Sequence, residues 1–378
     1  MTSGVRLVHT SDWHIGKTFG FTEDASQVLR DERLEVINRV GALAQACGAM
    51  AVLVAGDVYD MEMPNERTLR QPIERMRAFP DIEWHVIPGN HDAHSLRGPW
   101  HRLRDLPANV RVHLTPIPVS IGHGEAWILP AVLTRRHEAD DPTAPMADMA
   151  TPAGTLRVGL AHGSVADFGG DPATGHNRIA PDRAAAVGLA YLALGDGHGS
   201  KQVGDRSWYS GTPEPDGFDV GGAGGGEALV VEFGGAGGLV AVTRHRVGRF
   251  AWQRVSATLH GASDVAVLEA RLRGLTPDLG SALVWLRVDG ALSLADRKAF
   301  EDRIRHGVGS ALRVLRIDDA GLLPKPTTAD LEAIDHAGFV RAAADILAAK
   351  ADDPADPARA DAAAALQRLF VLQAAVAR

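Results

Sequence analysis

The feature that most constrains the fold of this chain is a series of short apolar runs that each end in acidic, amide or histidine residues. Early runs are "VRLVHT", "AMAVLVAGD" and "IEWHVIPGNHD", and later ones are "TLRVGLAHGS" and "AYLALGDGH". Apolar residues at helical spacing fill the intervals between the first three runs, for example Val28, Leu29, Val36, Ile37 and Val40. Alternation of strand and helix predicts an α/β fold with a largely parallel sheet. In such sheets ligands bind at the carboxyl ends of the strands.

The polar residues that follow these runs are of types that bind metal ions. They are Asp12 and His14 in "SDWH", Asp57 in "AGDVYD", Asn90, His91 and Asp92 in "PGNHD", His162 in "LAHGS", and Asp196 and His198 in "LGDGH". Residues i and i+2 of an extended strand point the same way, so Asp12 with His14, and Asp196 with His198, are each expected to present two ligands. Taken singly, each motif is more typical of a turn or a surface pair. Together and in this order they predict a dinuclear metal site, which needs about this many ligands and a bridging carboxylate.

Composition limits the chemistry further. The chain of 378 residues has one cysteine, Cys47, so an internal disulfide and a thiolate metal cluster are excluded. Oxygen and imidazole ligands without sulfur suit Mn²⁺, Fe²⁺ or Zn²⁺. The start of the sequence resembles no secretion signal, and no run of about 18 apolar residues occurs, so we expect a cytoplasmic protein without a membrane span.

The net charge of −8 gives no support for non-specific binding of nucleic acid. It does not exclude a local cluster of basic residues that binds nucleic acid. Lys17, Arg135 and Arg136 follow predicted strands near the site and are candidates for contacts with a DNA backbone. Solvated surface charge is the plainer interpretation of these three residues.

The pattern changes after about Arg249, where strand and helix patterns predict a small βαβαβ unit. The glycine-rich stretch 217–238 before it is interpreted as two loops around the strand "EALVVEF". We therefore predict a catalytic domain over 1–248, an α/β capping domain over 249–320, and a linker with a helical tail over 321–378. The tail carries apolar stripes that either pack on its own domain or dock to a partner. The stripes contain Leu331, Ile334, Phe339, Ile346, Leu347, Leu366, Leu369, Phe370, Leu372 and Val376.

The order of the motifs resembles the calcineurin-like metallophosphoesterase superfamily, whose pattern is D-x-H, G-D, G-N-H-D/E, H and G-H-x-H. Within it the chain is similar to the SbcD-type DNA-repair exonuclease subunits, on the stretches "HTSDWHIGKTFG", "GDVYD", "PGNHD" and "WYSGTPEPDGFD". The resemblance covers about 1–320 and is only architectural in the capping domain. It implies an α/β protein built as a metallophosphoesterase β-sandwich flanked by helices, with a small α/β cap domain and a helical C-terminal tail.

The resemblance also implies roles, residue by residue. The first metal ion would be bound by Asp12, His14, Asp57 and His198, and Asp57 would bridge to a second ion bound by Asn90, His162 and Asp196. His91 would protonate the leaving oxygen, and Asp92 would orient His91. Asp196 departs from the family, which has histidine at this position. An added carboxylate favours Mn²⁺ or Mg²⁺, so we expect two divalent ions, Mn²⁺ first, with Mg²⁺, Fe²⁺ and Zn²⁺ as alternatives.

The function expected from the resemblance is metal-dependent hydrolysis of DNA phosphodiesters by a repair exonuclease or endonuclease subunit. Its partners would be DNA, an SbcC-like coiled-coil ATPase subunit and a second copy of the chain in a homodimer. A metallophosphatase or phosphodiesterase acting on a small molecule or a phosphoprotein is the first alternative, because the same metal core serves both. A non-catalytic binding platform is the second.

Overall fold

A computed structural model of the chain describes residues 4–20, 23–165, 176–218, 225–234, 238–325 and 338–376. The chain forms two compact units, residues 1–251 and residues 252–378. Within the described ranges, no helix combines the length and the apolar character needed to cross a membrane.

The first unit contains a mixed sheet that carries the first three motifs. In chain order its strands are β1 (Arg6–Thr10), β2 (Ala51–Val54), β3 (Glu83–Val86), β4 (Val110–Val112), β13 (Glu227–Phe233) and β14 (Leu239–Arg246). Their order across the sheet is β14-β13-β1-β2-β3-β4. Strands β1 to β4 are parallel, and β13 and β14 extend the sheet antiparallel on the other side of β1. The predicted parallel arrangement therefore holds for the part of the sheet that carries these motifs.

A second mixed sheet carries the last two motifs. Its strands are β5 (Val119–Ile121), β6 (Ala126–Pro130), β7 (Leu156–His162), β10 (Tyr191–Gly195), β11 (Lys201–Gly204) and β12 (Ser207–Tyr209), in the order β11-β12-β10-β7-β6-β5. Strands β6, β7, β10 and β12 are parallel, whereas β5 and β11 pair antiparallel at the two edges. A short parallel pair follows the site-bearing end of β7 and consists of β8 (Ser164–Val165) and β9 (Arg178–Ile179).

Apolar residues on both faces of these strands explain how the layers stack. Successive strand residues point to opposite faces, and in β1 both Leu7 and Val8 are fully buried. Leu7 packs in the core between the two sheets, with residues of the second sheet such as Val158 and Leu160. Val8 packs on the other side of the first sheet. The continuous apolar runs in the sequence therefore reflect strands that are covered on both faces.

Helices cover the outer face of the first sheet. Among the described residues of the first unit, the α-helices are α1 (Glu23–Cys47), α2 (Glu66–Arg77), α3 (Pro99–Arg102) and α4 (Arg183–Ala186), and 3-10 turns span Gly122–Gly124 and Ala144–Asp148. Ile37 of α1 and Met76 of α2 are fully buried in the cluster that contains Val8. Asn65 caps α2, because its Oδ1 accepts a hydrogen bond of 2.9 Å from the backbone N–H of Thr68.

The second unit contains a three-stranded sheet with helices between its strands. Its elements are β15 (Ala251–Leu259), α5 (Ala262–Arg273), β16 (Ala282–Leu292), α6 (Leu294–Phe300), a π-helical stretch (Glu301–Val308), α7 (Gly309–Ala311), β17 (Val314–Pro324), α8 (Phe339–Asp352) and α9 (Arg359–Val376). Strand β15 begins at Ala251, the last residue of the first unit. The strand order is β15-β16-β17, and β16 and β17 are parallel. Val255, Leu268 and Phe300 belong to one buried cluster of this unit.

The predicted metallophosphoesterase sandwich with flanking helices is confirmed by these layers. The division of the second unit into a cap at 249–320 and a tail at 321–378 stays a prediction. Helices α8 and α9 contact each other, and Ala344 and Leu366 on them are buried. Phe339, Ile346 and Leu372 of the predicted stripes are exposed. Leu331 and Ile334 lie outside the described residues.

Candidate metal centre

The predicted motif residues follow the carboxyl ends of strands from both sheets. Strands β1, β2 and β3 lead into Asp12, Asp57 and Asn90, and β7 and β10 lead to His162 and Asp196. Parallel pairing within each sheet places the ends of its strands side by side. Contacts across the sandwich then join the two sets. The backbone N–H of Asp196 donates to Asp12 Oδ1 at 3.1 Å, and His162 Nδ1 donates to the backbone carbonyl of Ala55 at 2.8 Å.

The backbone at this centre differs from the extended conformation expected at Asp12, His14 and Asp196. Strand β1 ends at Thr10 and β10 ends at Gly195, so these residues lie beyond the strands. The φ angles are 54° at Asp12, 45° at His14, 55° at Asp57 and 94° at Asp196. Positive φ is unfavourable for residues other than glycine and clusters at functional sites. The i and i+2 argument for paired ligands was therefore wrong in its geometry, because tight turns, not extended strands, aim these side chains.

One group of donor atoms consists of Asp12, His14 and His198, and one donor atom from each lies within 4.8 Å of the others. Asp12 and His14 are buried, whereas His198 is partly exposed. The ring centroids of His14 and His198 are 5.2 Å apart. The Nδ1 of His14 lies 3.4 Å from Asp60 Oδ1, whereas its buried Nε2 has no hydrogen-bond partner among the described residues, which is costly unless a ligand occupies it. This group therefore fits a divalent cation.

A second group contains Asp12, Asp57 and His162, all buried. The Nδ1 of His162 donates to Ala55, so in the neutral ring Nε2 carries a lone pair. That Nε2 lies 3.1 Å from Asn90 Oδ1, 3.5 Å from Asp57 Oδ2 and 3.8 Å from Asp196 Oδ1. Four acceptor atoms thus converge, and either a proton on the ring or a cation among them is needed to offset their repulsion.

Asp57, a member of the second group, also faces the first. Its Oδ2 is 3.9 Å from His14 Nε2 and 3.5 Å from His162 Nε2, while its Oδ1 accepts a 2.8 Å hydrogen bond from the backbone N–H of His91. One carboxylate oxygen therefore faces donors of both groups. This is the position that a carboxylate bridging two cations requires.

Buried carboxylates dominate the electrostatics of the centre. Burial, with the neighbouring charges of Asp92 and Asp12, raises the pKa of Asp57 well above its usual range. Burial alone would lower the pKa of His162, but the carboxylates of Asp57, Asp12 and Asp196 outweigh it and raise that pKa to about 9. The carboxylates around His162 thus favour positive charge at this position, which a divalent cation would also supply.

His91 and Asp92 have distinct contacts. His91 Nδ1 donates to the backbone carbonyl of Asp60 at 3.0 Å, which leaves Nε2 for a substrate. Asp92 is fully buried and accepts from the backbone N–H groups of Gly89 at 2.6 Å and Tyr59 at 3.1 Å. The carboxylate of Asp92 therefore fastens the loop that carries His91. The orientation of His91 by Asp92 stays a prediction; the backbone carbonyl of Asp60 contacts the ring, and Asp92 contacts the backbone of the loop.

Glycines let the backbone approach the centre closely. A Cβ atom on Gly89 would lie 2.1 Å from Asp57 Oδ1, and one on Gly195 would lie 1.9 Å from the carbonyl oxygen of Ala55. Gly56 has φ of 89°, and a Cβ there would lie 2.4 Å from His162 Nδ1. Any larger residue at these three positions would displace a motif side chain or its support.

Two acidic residues of this region were missed in the sequence. Asp60 lies in a third group with His14 and His91, and its Oδ1 is 3.4 Å from His14 Nδ1. Its signal was the second aspartate of "GDVYD". Asp216 accepts from Lys17 Nζ at 2.7 Å and lies 3.6 Å from Arg33 Nη2. Lys17, a candidate for DNA contact, is therefore engaged by a buried carboxylate of the segment "TPEPDGFD".

Comparison with known proteins adds independent information. Residues 5–143 match the family model of calcineurin-like phosphoesterases. The chain is 29% identical over 258 residues to the SbcD subunit of the nuclease SbcCD from Rhodobacter capsulatus, a match that covers 56% of this chain and 62% of that protein. It is 32% identical over 136 residues to the SbcD subunit from Escherichia coli K12, covering 35% of this chain and 30% of the relative.

The match to the SbcD subunit from Staphylococcus epidermidis is 24% identical over 132 residues, covering 33% of this chain and 34% of the relative. The chain thus spans between about a third and three fifths of the length of these curated relatives. The family model covers β1, β2 and β3 with the motifs at Asp12, Asp57 and Asn90. Residues 5–143 thus resemble the calcineurin-like phosphoesterases, and the chain is similar to the SbcD subunits of SbcCD nucleases.

Proposed function

We propose that this protein is a dinuclear-metal-dependent phosphodiesterase and that its substrate is DNA. The observation that carries the proposal is the pair of donor groups that share Asp12 and meet at Asp57. In the proposal, Asp12, His14 and His198 hold one cation, and Asn90, His162 and Asp196 hold the other. Asp57 contacts both. Mn²⁺ is the cation that we propose first, because the set is rich in carboxylate and imidazole and has no sulfur.

Two cations held there would bind the phosphate oxygens and lower the pKa of a water molecule for attack on phosphorus. Side chains of the protein would donate the proton to the leaving group and position the metal ligands. His91, as imidazolium, donates the proton on Nε2 to the departing oxygen, while the Asp60 carbonyl holds Nδ1. The bond from His162 Nδ1 to Ala55 fixes that ring with Nε2 toward Asn90, Asp57 and Asp196.

Asp92 supports the proposed acid through the backbone. Its two hydrogen bonds tie the turn at Gly89 to Tyr59, next to Asp60. The loop that carries His91 and the carbonyl that orients its ring are thereby held by one buried carboxylate. Proton donation of this kind contributes roughly 10²–10⁴-fold to a hydrolytic rate.

We further propose that the protein acts in DNA repair together with an SbcC-like coiled-coil ATPase subunit. The support is the similarity to proteins named as SbcD subunits of SbcCD nucleases. Copurification or size-exclusion chromatography with such an ATPase tests this part. Elution of the two chains as separate peaks, with an unchanged nuclease rate on mixing, would contradict it.

The test of the activity compares two substrates, an end-labelled DNA duplex and bis-p-nitrophenyl phosphate, with Mn²⁺ or with EDTA. We expect Mn²⁺-dependent cleavage of both by the native protein. Asp57→Asn should abolish it, and the matched exposed change Asp140→Asn should leave it intact. Turnover of the small diester without cleavage of DNA would instead favour a phosphodiesterase for small molecules.

A further inference from the structure

A loop that carries exposed arginines lies between two of the motif-bearing segments. This loop, Thr134–Glu138, is termed the arginine loop, and it includes Arg135 and Arg136. The residue before it, Leu133, accepts a hydrogen bond of 2.8 Å from the backbone N–H of His94, two residues after Asp92. The loop is thus fastened on one side to the segment that carries His91.

Asn177 fastens the arginine loop on its other side. This residue is 6% exposed and has φ of 53°. Its Nδ2 donates to the carbonyl of Arg136 at 2.9 Å, its Oδ1 accepts from the N–H of Glu138 at 2.7 Å, and its own N–H donates to the carbonyl of Glu138 at 2.9 Å. A buried amide therefore holds the backbone of the loop at three points.

The same Asn177 connects the loop to the end of β7. Its carbonyl accepts a 3.0 Å hydrogen bond from the N–H of Ser164, two residues after His162. Arg178, the next residue, pairs with Ser164 in the β8–β9 register and is exposed. Strand spacings place the Cα atom of Arg178 about 8 Å from that of His162. The clamp thereby ties the arginine loop and Arg178 to the backbone two residues beyond His162.

The charges of these arginines are available to a ligand. Arg135 and Arg136 are exposed. In the described part of the chain neither makes an ion pair, whereas the nearby Arg183 is paired with Asp141 at 2.7 Å. The carboxylate of Glu138 is turned to Thr134, from which its Oε1 accepts two hydrogen bonds. Because the backbone is held in advance, a ligand of these guanidinium groups would pay little to order the loop.

We propose that Arg135, Arg136 and Arg178 bind the phosphates of a nucleic-acid strand on the side of the scissile phosphate near His162. Guanidinium groups suit phosphate oxygens, and successive phosphates along a strand are separated by about 3.4 Å of helix axis. A nucleic-acid strand whose scissile phosphate lies at the candidate metal centre therefore brings its neighbouring phosphates to these arginines. A small diester has no such phosphates and does not reach them. The proposal rests on the proposed function and adds to it the residues that hold the DNA strand beside the scissile phosphate.

The test is the binding of fluorescein-labelled DNA in EDTA over a series of salt concentrations, which needs no metal and no turnover. The variant is Arg135→Gln/Arg136→Gln. Its control is Arg6→Gln/Arg77→Gln. This double change removes the same charge at the amino ends of the strands, opposite the ends that carry the motifs. Arg6 begins β1 and Arg77 ends α2, both exposed and remote from the strand ends that carry the motifs.

We expect the loop variant to bind DNA about tenfold more weakly and its log–log salt slope to fall by about 1.4–1.8, since two phosphate contacts are lost. Bis-p-nitrophenyl phosphate should be hydrolysed at the native rate. Arg178→Gln should weaken binding by a smaller factor. Asn177→Gly, which retains the arginines but loses two side-chain bonds to the loop, should also weaken binding.

The proposal is overturned if the loop variant and the control keep the same affinity and salt slope, or if the native protein binds no DNA in EDTA. A failure of the proposed function is separate from this outcome. In that case the native protein with Mn²⁺ would cleave neither DNA nor the small diester, while the binding titration would still report on the arginine loop.

Discussion

Replacement of Asp92 by alanine tests how the site is held together. The change removes a fully buried carboxylate that accepts from Gly89 N–H at 2.6 Å and Tyr59 N–H at 3.1 Å. Two buried donors would lose their partner, and each such loss costs about 1–3 kcal/mol. Burial raises the pKa of Asp92, so the charged form is itself costly and part of the loss is offset. A net destabilisation of about 2–4 kcal/mol follows.

The assay for Asp92→Ala is thermal unfolding in EDTA, so that metal release does not contribute. For a unit of this size the change corresponds to a fall in Tm of about 5–15 °C. The control is Asp140→Ala, which removes an exposed carboxylate from the same unit and should leave Tm nearly unchanged. If Asp92→Ala and the control have the same Tm, the two backbone hydrogen bonds do not hold the loop. The support that Asp92 is proposed to give to His91 is then wrong.

Three further predictions concern the proposed acid, the unusual ligand and a buried histidine pair. His91→Ala should retain Mn²⁺ binding in calorimetry but lose roughly 10²–10⁴-fold in kcat; loss of the metal instead would make His91 structural. Asp196→Ala should weaken or remove one of two bound Mn²⁺ ions in the same titration, and unchanged stoichiometry with full activity would exclude Asp196 as a ligand. Burial, with the charges of His85 and Arg111, lowers the pKa of His113 from 6.5 to about 3, so the unfolded chain takes up a proton that the folded one does not. Stability should therefore fall as pH drops from about 6.5 toward 3, and His113→Gln should reduce that slope by about one proton in urea unfolding; an equal slope in both proteins would show that His113 titrates normally when folded.

The layers of the fold were predictable from the sequence because apolar runs and helical spacing depend on local pattern. "AMAVLVAGD" predicted β2 and its turn, and "IEWHVIPGNHD" predicted β3 and the turn that follows it. The local pattern could not predict that β13 pairs antiparallel with β1, because this pairing joins residues more than 200 positions apart. Pairing partners of this kind depend on packing of the whole sandwich, which periodicity alone does not encode.

The residues of the candidate centre were predicted from their types and order, but the backbone geometry that positions them was not. Asp12, His14, Asp57 and Asp196 have positive φ, a conformation in which Asp and His are enriched but which most Asp and His residues do not adopt, so residue type did not predict it. The supporting carboxylates, Asp60 and Asp216, gave no signal apart from their presence in a motif. Their partners, His14 and Lys17, lie far from them in sequence, so the contacts appear only in the folded chain.

The most direct test of the dinuclear centre is anomalous diffraction from a crystal of the native protein soaked in Mn²⁺. Two peaks are predicted on either side of Asp57, one next to Asp12, His14 and His198 and the other next to Asn90, His162 and Asp196. Asp57→Asn should weaken both peaks, because its side chain faces both donor groups. A single peak, or peaks away from Asp57, would contradict the account.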